Sequence, residues 1–142
     1  MKIDIIPFTM DLYDDVFALW KQCDGVGLSD ADSRENIQAY LDRNPAMSFV
    51  VIDKNIIVAS ILAGHDGRRG FIHHLAVQPS YRRLGMGTAL VERSFKVLHA
   101  AGIQKVHLLV FKNNANAIAF WKSIGWSKRT DIDLMSKTID LP

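Results

Sequence analysis

The 142-residue sequence holds one cysteine, four prolines and no run of about 20 uncharged apolar residues. Each scarcity excludes something. A lone Cys23 leaves no intrachain disulfide and no thiolate pair for a metal, and it points to a reducing compartment. No membrane partner is expected, and a chain start that carries Asp4, Asp11, Asp14 and Asp15 does not read as a signal peptide, so a soluble, cytoplasmic protein is the expectation. Charge of one sign is scarce too. Seventeen Lys and Arg against fifteen Asp and Glu leave a formal +2, too little to imply nucleic acid as a partner. Repeats, low-complexity tracts and linker-like stretches are missing. What remains is 49% hydrophobic and 23% charged, the composition of a folded protein, and the length predicts a single domain over residues 1–142.

Alternation predicts a short strand over Lys2–Pro7. Thr9 is placed to cap a helix whose apolar face is Tyr13, Val16, Phe17 and Trp20, the i, i+3, i+4, i+7 spacing. After a loop over Cys23–Asp32, Asp32 and Glu35 have capping-box spacing. Ile37, Tyr40 and Leu41 then continue one helical face until Asn44-Pro45 ends it. Met47–Ile52 and Ile56–Ala63 flank Asp53-Lys54-Asn55 as a hairpin, and a turn over His65–Gly70 leads into a strand over Phe71–Gln78. Gly85–Ala101 reads as a helix with Leu90, Val97 and Leu98 on one side and Gly102 as its stop. A strand over Lys105–Phe111, a helix over Asn114–Ile124 ended by Gly125, and a closing strand from Trp126 complete the order βααβββαβαβ. The strand–helix–strand unit over Phe71–Phe111 requires a parallel pair and a right-handed crossover, hence a mixed sheet with helices on its faces.

The densest signal runs from His74 through Leu75-Ala76-Val77-Gln78-Pro79 to Arg82-Arg83-Leu84-Gly85-Met86-Gly87-Thr88. A buried strand enters a loop, and the loop opens a helix. Amides of a first helical turn lack intrahelical acceptors and sit at the positive end of the helix dipole. Gly85 and Gly87 let an anion approach the backbone, Arg82 and Arg83 add charge, and the Thr88 hydroxyl can donate. Other phosphate motifs fit worse. No Lys-Ser/Thr follows the glycines as a P-loop demands, and the dinucleotide fingerprint would want Gly or Ala at Leu90.

Arg82-x-x-Gly85-x-Gly87 resembles the signature of the GNAT superfamily of acyl-CoA-dependent N-acyltransferases. The run Asn114-x-x-Ala117-x-x-Phe120-Trp121-x-x-x-Gly125-Trp126 resembles that family's second block. The resemblance implies a GNAT-type α/β fold: a mixed, largely antiparallel sheet with a central splayed parallel strand pair and helices on both faces. It implies acetyl-CoA as co-substrate and no metal, with the pyrophosphate on the amides of Arg83, Leu84, Gly85, Met86, Gly87 and Thr88. The pantetheine arm would lie as a pseudo-strand along Leu75, Ala76 and Val77, and Asn114 and Phe120 match positions that touch that arm. The implied reaction is transfer of an acetyl group from acetyl-CoA to a primary amine by direct attack in a ternary complex. The alternative is a non-catalytic acyl-CoA-binding sensor or interaction module. The implied acceptor is a small-molecule or peptide amine, and a homodimer is the assembly considered.

Amide formation needs a proton acceptor for the amine, a donor to the oxyanion and a proton for the leaving thiolate. The resemblance puts the oxyanion donor at a backbone N–H near Val77. His73 and His74 are the candidate bases. As neighbours on a strand they are expected to point to opposite faces, and the resemblance to small-amine acetyltransferases of this superfamily favours His73. His65, His99 and His107 read as structural. The tyrosine that usually protonates the thiolate is replaced by Trp121, whose indole N–H is no useful acid. Asp30 and Asp32 lie in the loop that lines the acceptor site in the family. They either favour a cationic amine or serve as a loop solubiliser and a helix cap.

Overall fold

The computed structural model describes residues 2–142 as two compact units, one ending at Phe111 and the other spanning Lys112–Pro142. The first unit contains β1 (Asp4–Pro7), α1 (Tyr13–Gln22), α2 (Arg34–Arg43), β2 (Phe49–Asp53), β3 (Ile56–His65), β4 (Gly70–Val77), α3 (Met86–Ala100) and β5 (Val106–Leu108). The second contains α4 (Ala115–Ser123). The strands lie side by side in the order β1-β2-β3-β4-β5, each antiparallel to its neighbour except the parallel pair β4–β5. This is the mixed, mostly antiparallel sheet that the sequence predicts.

Strand β3 lies at the centre and is buried from Ile57 to Gly64, which is why it reads as an almost continuous apolar run. Lys54 and Asn55 both have positive φ, the backbone of a two-residue hairpin turn, so β2 and β3 pair directly around them. One face of the sheet meets α1 and α2, with Val16, Leu19, Trp20 and Ile37 packed on Val50 and Leu62. Trp20 anchors this layer: its indole N–H donates to Ser60 Oγ at 3.0 Å, and Phe8 and Phe17 meet it edge-on. The other face meets α3 through Met86, Leu90, Val91, Ser94 and Leu98.

Gly64 shows how tightly α2 closes on the sheet. A Cβ there would stand 2.5 Å from Asn44 Cγ and 2.7 Å from Tyr40 Oη. Asn44 cannot easily retreat, because its Oδ1 accepts from the His65 amide at 3.0 Å. Gly64→Ala is therefore expected to lower stability by about 1–3 kcal/mol, the usual range for overpacking, as read by chemical denaturation. A variant as stable as its parent would mean the end of α2 yields freely.

Several sequence expectations are corrected. Thr9 precedes the short 3₁₀ turn Met10–Leu12, not α1, and makes no capping bond, its hydroxyl donating to Asp11 instead. The capping box joins Ser29 to Asp32, and α2 starts at Arg34 with Ser33 as its cap. Sequence spacing suggested Asp32 with Glu35 because it does not reveal the intervening 3₁₀ turn Asp30–Asp32. Strand β5 covers Val106–Leu108 only, and Leu109, Val110 and Phe111 are exposed. The closing strand from Trp126 is absent, since residues 126–142 carry no helix or strand.

Candidate active site

The parallel pair is short. Gly70, Phe71 and Ile72 face Val106, His107 and Leu108, after which β4 continues from His73 to Val77 paired with β3 but without β5. Beyond Ile72 that edge of β4 is open, as the family resemblance implies for a cofactor cleft. Gln78 donates its amide to Val58 O at 2.8 Å, and successive amides of a strand point to opposite edges, so the Val77 N–H faces away from β3 toward the open edge. The Val77 carbonyl shares that edge. It accepts from Arg82 Nε at 3.2 Å and from the Cys23 thiol at 3.5 Å. Cys23 is thus a support for the strand end. Burial pushes its thiol pKa up, which leaves it protonated and able to donate.

Beyond β4 the 3₁₀ turn Pro79–Tyr81 leads into a loop that is left-handed at Arg83 (φ +64°) and again at Gly85 (φ +84°). Left-handed residues in a loop turn its N–H groups inward to form a concavity suited to anions. Nothing crowds a Cβ at Gly85, so glycine is favoured there by φ and not by space. Gly85 is the N-cap of α3, and the first intrahelical bond is Ala89 N to Gly85 O at 3.0 Å. The amides of Met86, Gly87 and Thr88 therefore precede the helical ladder. The side chains divide. Met86 is a core residue and offers only its backbone, while Leu84, Arg82 and Arg83 are exposed and Thr88 is half-buried. Arg82 already spends its Nε on Val77, so Arg83 is the freer cation. These groups fit a pyrophosphate followed by an extended, amide-bearing arm.

The expected opposite orientation of the two histidines is overturned. His74 has φ +48°, and at this point the β3–β4 register shifts, so that His74 and Leu75 together oppose Ile61. This is a β-bulge, which reverses the local alternation of side chains. Both rings consequently meet the layer formed by α1 and α2. His73 lies edge-on to Tyr40 and stacks on Phe71, and Phe71 also meets His107. His74 lies edge-on to Trp20, and its Nε2 is 2.7 Å from Asp32 Oδ1. Burial and the neighbouring His74 hold His73 below the usual histidine pKa, with Asp32 opposing them, so its ring stays neutral to lower pH than an exposed one.

Asp30 and Asp32 do not form an acidic patch together. Asp30 is exposed, and its backbone carbonyl accepts from Asn36 Nδ2. Asp32 is buried, 5% exposed, and turned into the protein. Of the two readings of this loop the structure supports capping for Asp32, with His74 as an additional partner. In the second unit Asn114 caps α4 by accepting from Ala117 N at 3.1 Å. Phe120 meets Trp121, which is buried and packs edge-on against Trp126. Trp121 is therefore a packing residue of its unit. The Asp32–His74 contact, the Cys23 bond and the bulge had no signal in the sequence beyond the adjacent histidines. Among the described residues no helix is long and apolar enough to cross a membrane, and no cluster of His, Cys, Asp and Glu is arranged to hold a metal.

Residues 13–126 match the model of the Acetyltransferase (GNAT) family. An acetyltransferase of Sodalis glossinidius is 30% identical over 137 residues, covering 96% of each chain. The ribosomal-protein-S18-alanine N-acetyltransferase of Escherichia coli superposes with a TM-score of 0.74 at 21% identity, over 91% of this chain and 80% of that one. A PaiA N-acetyltransferase of Thermoplasma acidophilum, solved in complex with coenzyme A, superposes with a TM-score of 0.79 at 15% identity, over 94% of each.

Proposed function

The chain belongs to the GNAT family of acetyltransferases, and from that membership we propose that residues 1–142 act as one domain that transfers the acetyl group of acetyl-CoA to a primary amine by direct attack in a ternary complex. The observation that carries this reading is the open stretch His73–Val77 running into the left-handed loop and the free amides of α3. An amide-bearing arm can add to that edge as a strand, and a pyrophosphate can take the amides from Arg83 to Thr88. The similar enzyme bound to coenzyme A supports the same cofactor, and the Escherichia coli neighbour, named for a protein alanine, supports an amine acceptor. Asn114 and Phe120 belong to this reading through the second sequence block.

An imidazole of β4 serves as proton acceptor, and the Val77 N–H faces the edge where a thioester carbonyl oxygen would need a donor. No dedicated acid is assigned to the leaving thiolate, since Trp121 is buried among aromatic rings. The test is free-thiol release from acetyl-CoA with a panel of polyamines, aminoglycosides, amino acids and peptide N-termini. Thiol release that depends on at least one amine is the expected result. Tight CoA binding with no release for any of them would favour the sensor reading.

A further inference from the structure

We infer that Asp32 is a positioning residue, holding His74 with its Nε2–H on the carboxylate and its Nδ1 free to accept the proton of the attacking amine. The inference rests on the acetyltransferase reading for the identity of the reaction, but the pair itself stands on geometry. His74 Nε2 and Asp32 Oδ1 are 2.7 Å apart, with the two side chains only 16% and 6% exposed. A carboxylate so placed accepts, so the ring must carry its proton on Nε2. Tyr40 Oη is the one sealed polar side-chain atom without a partner among the described residues. Among the described residues His74 Nδ1 makes no hydrogen bond, and the side chain keeps 16% of its surface exposed.

Everything around Asp32 is fixed. Its Oδ2 accepts from the Ser29 amide at 3.0 Å, and its carbonyl accepts from the Tyr13 hydroxyl at 2.5 Å. The Trp20 ring lies 4.9 Å from the imidazole and limits its rotation. On the strand side, a non-glycine residue in the left-handed region carries a steric cost. That cost is borne at His74, the position where the bulge turns a ring toward Asp32 and just ahead of the open stretch Leu75–Val77. Among the described residues His73 has no carboxylate partner. Its ring packs on those of Tyr40 and Phe71, and burial lowers its pKa.

In the reaction, the amine nitrogen forms a bond to the acetyl carbonyl carbon as the carbon–sulfur bond breaks. The proton lost by nitrogen goes to His74 Nδ1, giving an imidazolium that faces Asp32. The electron pair of the broken bond leaves on sulfur. The thiolate then takes a proton from water, the imidazolium returns one to water, and the products are the acetamide and the CoA thiol.

Nitrogen-15 NMR of histidine-labelled protein tests the pair without any substrate. The parent is expected to show His74 protonated at Nε2, and Asp32→Asn to shift the ring toward the Nδ1–H form. The carboxamide oxygen of that variant can still accept from the Ser29 amide, so folding should survive. Turnover with a responsive amine should fall about 10²-fold in Asp32→Asn with CoA affinity unchanged, and Asp32→Asn should add nothing to His74→Ala. Ser29→Ala, which loosens the cap without touching the pair, should keep the parent's ring signature. A parent ring protonated at Nδ1, or an Asp32→Asn variant with the parent's tautomer and turnover, would overturn the assignment. If no amine releases thiol from the parent, the transferase reading fails while the ring measurement still decides the pair. That measurement on the parent alone suffices if Asp32→Asn does not fold.

Discussion

Gly87→Glu is expected to abolish measurable CoA binding in a protein that folds like its parent. Gly87 is the second residue of α3, in the turn whose amides precede the helical ladder. A carboxylate there is favourable to the helix itself, because negative charge at an N-terminus is stabilising by about 0.3–1 kcal/mol. The same carboxylate would occupy the amides meant for the pyrophosphate and repel it. Charge-assisted hydrogen bonds contribute about 1.5–3 kcal/mol each, so losing two of them already weakens binding by more than about 10²-fold. Calorimetry with CoA reads the loss, and a thermal melt reads the fold. Unchanged affinity would remove the loop from the cofactor site. Arg83→Ala should have a smaller effect, because it deletes one exposed cation and leaves the backbone donors in place.

The second large effect separates the two histidines. His74→Ala is expected to lower turnover by about 10²- to 10⁴-fold, the usual contribution of a general base, while CoA affinity holds. His73→Ala should cost less in turnover and more in packing, since that ring fills space between Tyr40 and Phe71. Steady-state kinetics beside a CoA titration separates these outcomes. If His73→Ala is the severe variant and His74→Ala behaves like the parent, the base is His73, as strand alternation and the family resemblance suggest.

Why the sequence pointed elsewhere is physical. Period-2 alternation assumes an unbroken ladder, and a bulge changes the face of one residue without changing its composition. Neither His73 nor His74 is a glycine, so nothing at that position announced a positive φ. The anion loop was legible because its demands are local: Gly85 supplies the left-handed backbone, and Gly87 follows at the helix start. Strands β2 and β3 were legible for the same reason, with Lys54 and Asn55 turning between them. Asp32 was half legible. Its place in a capping box could be read, but its partner in the box was mistaken, and a contact with a residue 42 positions away leaves no periodic trace.

The spatial order β1-β2-β3-β4-β5 repeats the order of synthesis. From β2 to β4 each new strand docks on the one just made across a tight turn, so little chain must be closed before contacts form. Two pairings lack such a turn: β2 reaches β1 only after α1 and α2, and β5 reaches β4 only after the whole of α3 has crossed the sheet. Both outer pairings of the sheet therefore close long stretches of chain, whereas its β2–β3–β4 centre closes short ones. The β4–β5 closure brings together the two walls of the cleft, so the cleft depends on a long-range contact that the local hairpins do not supply.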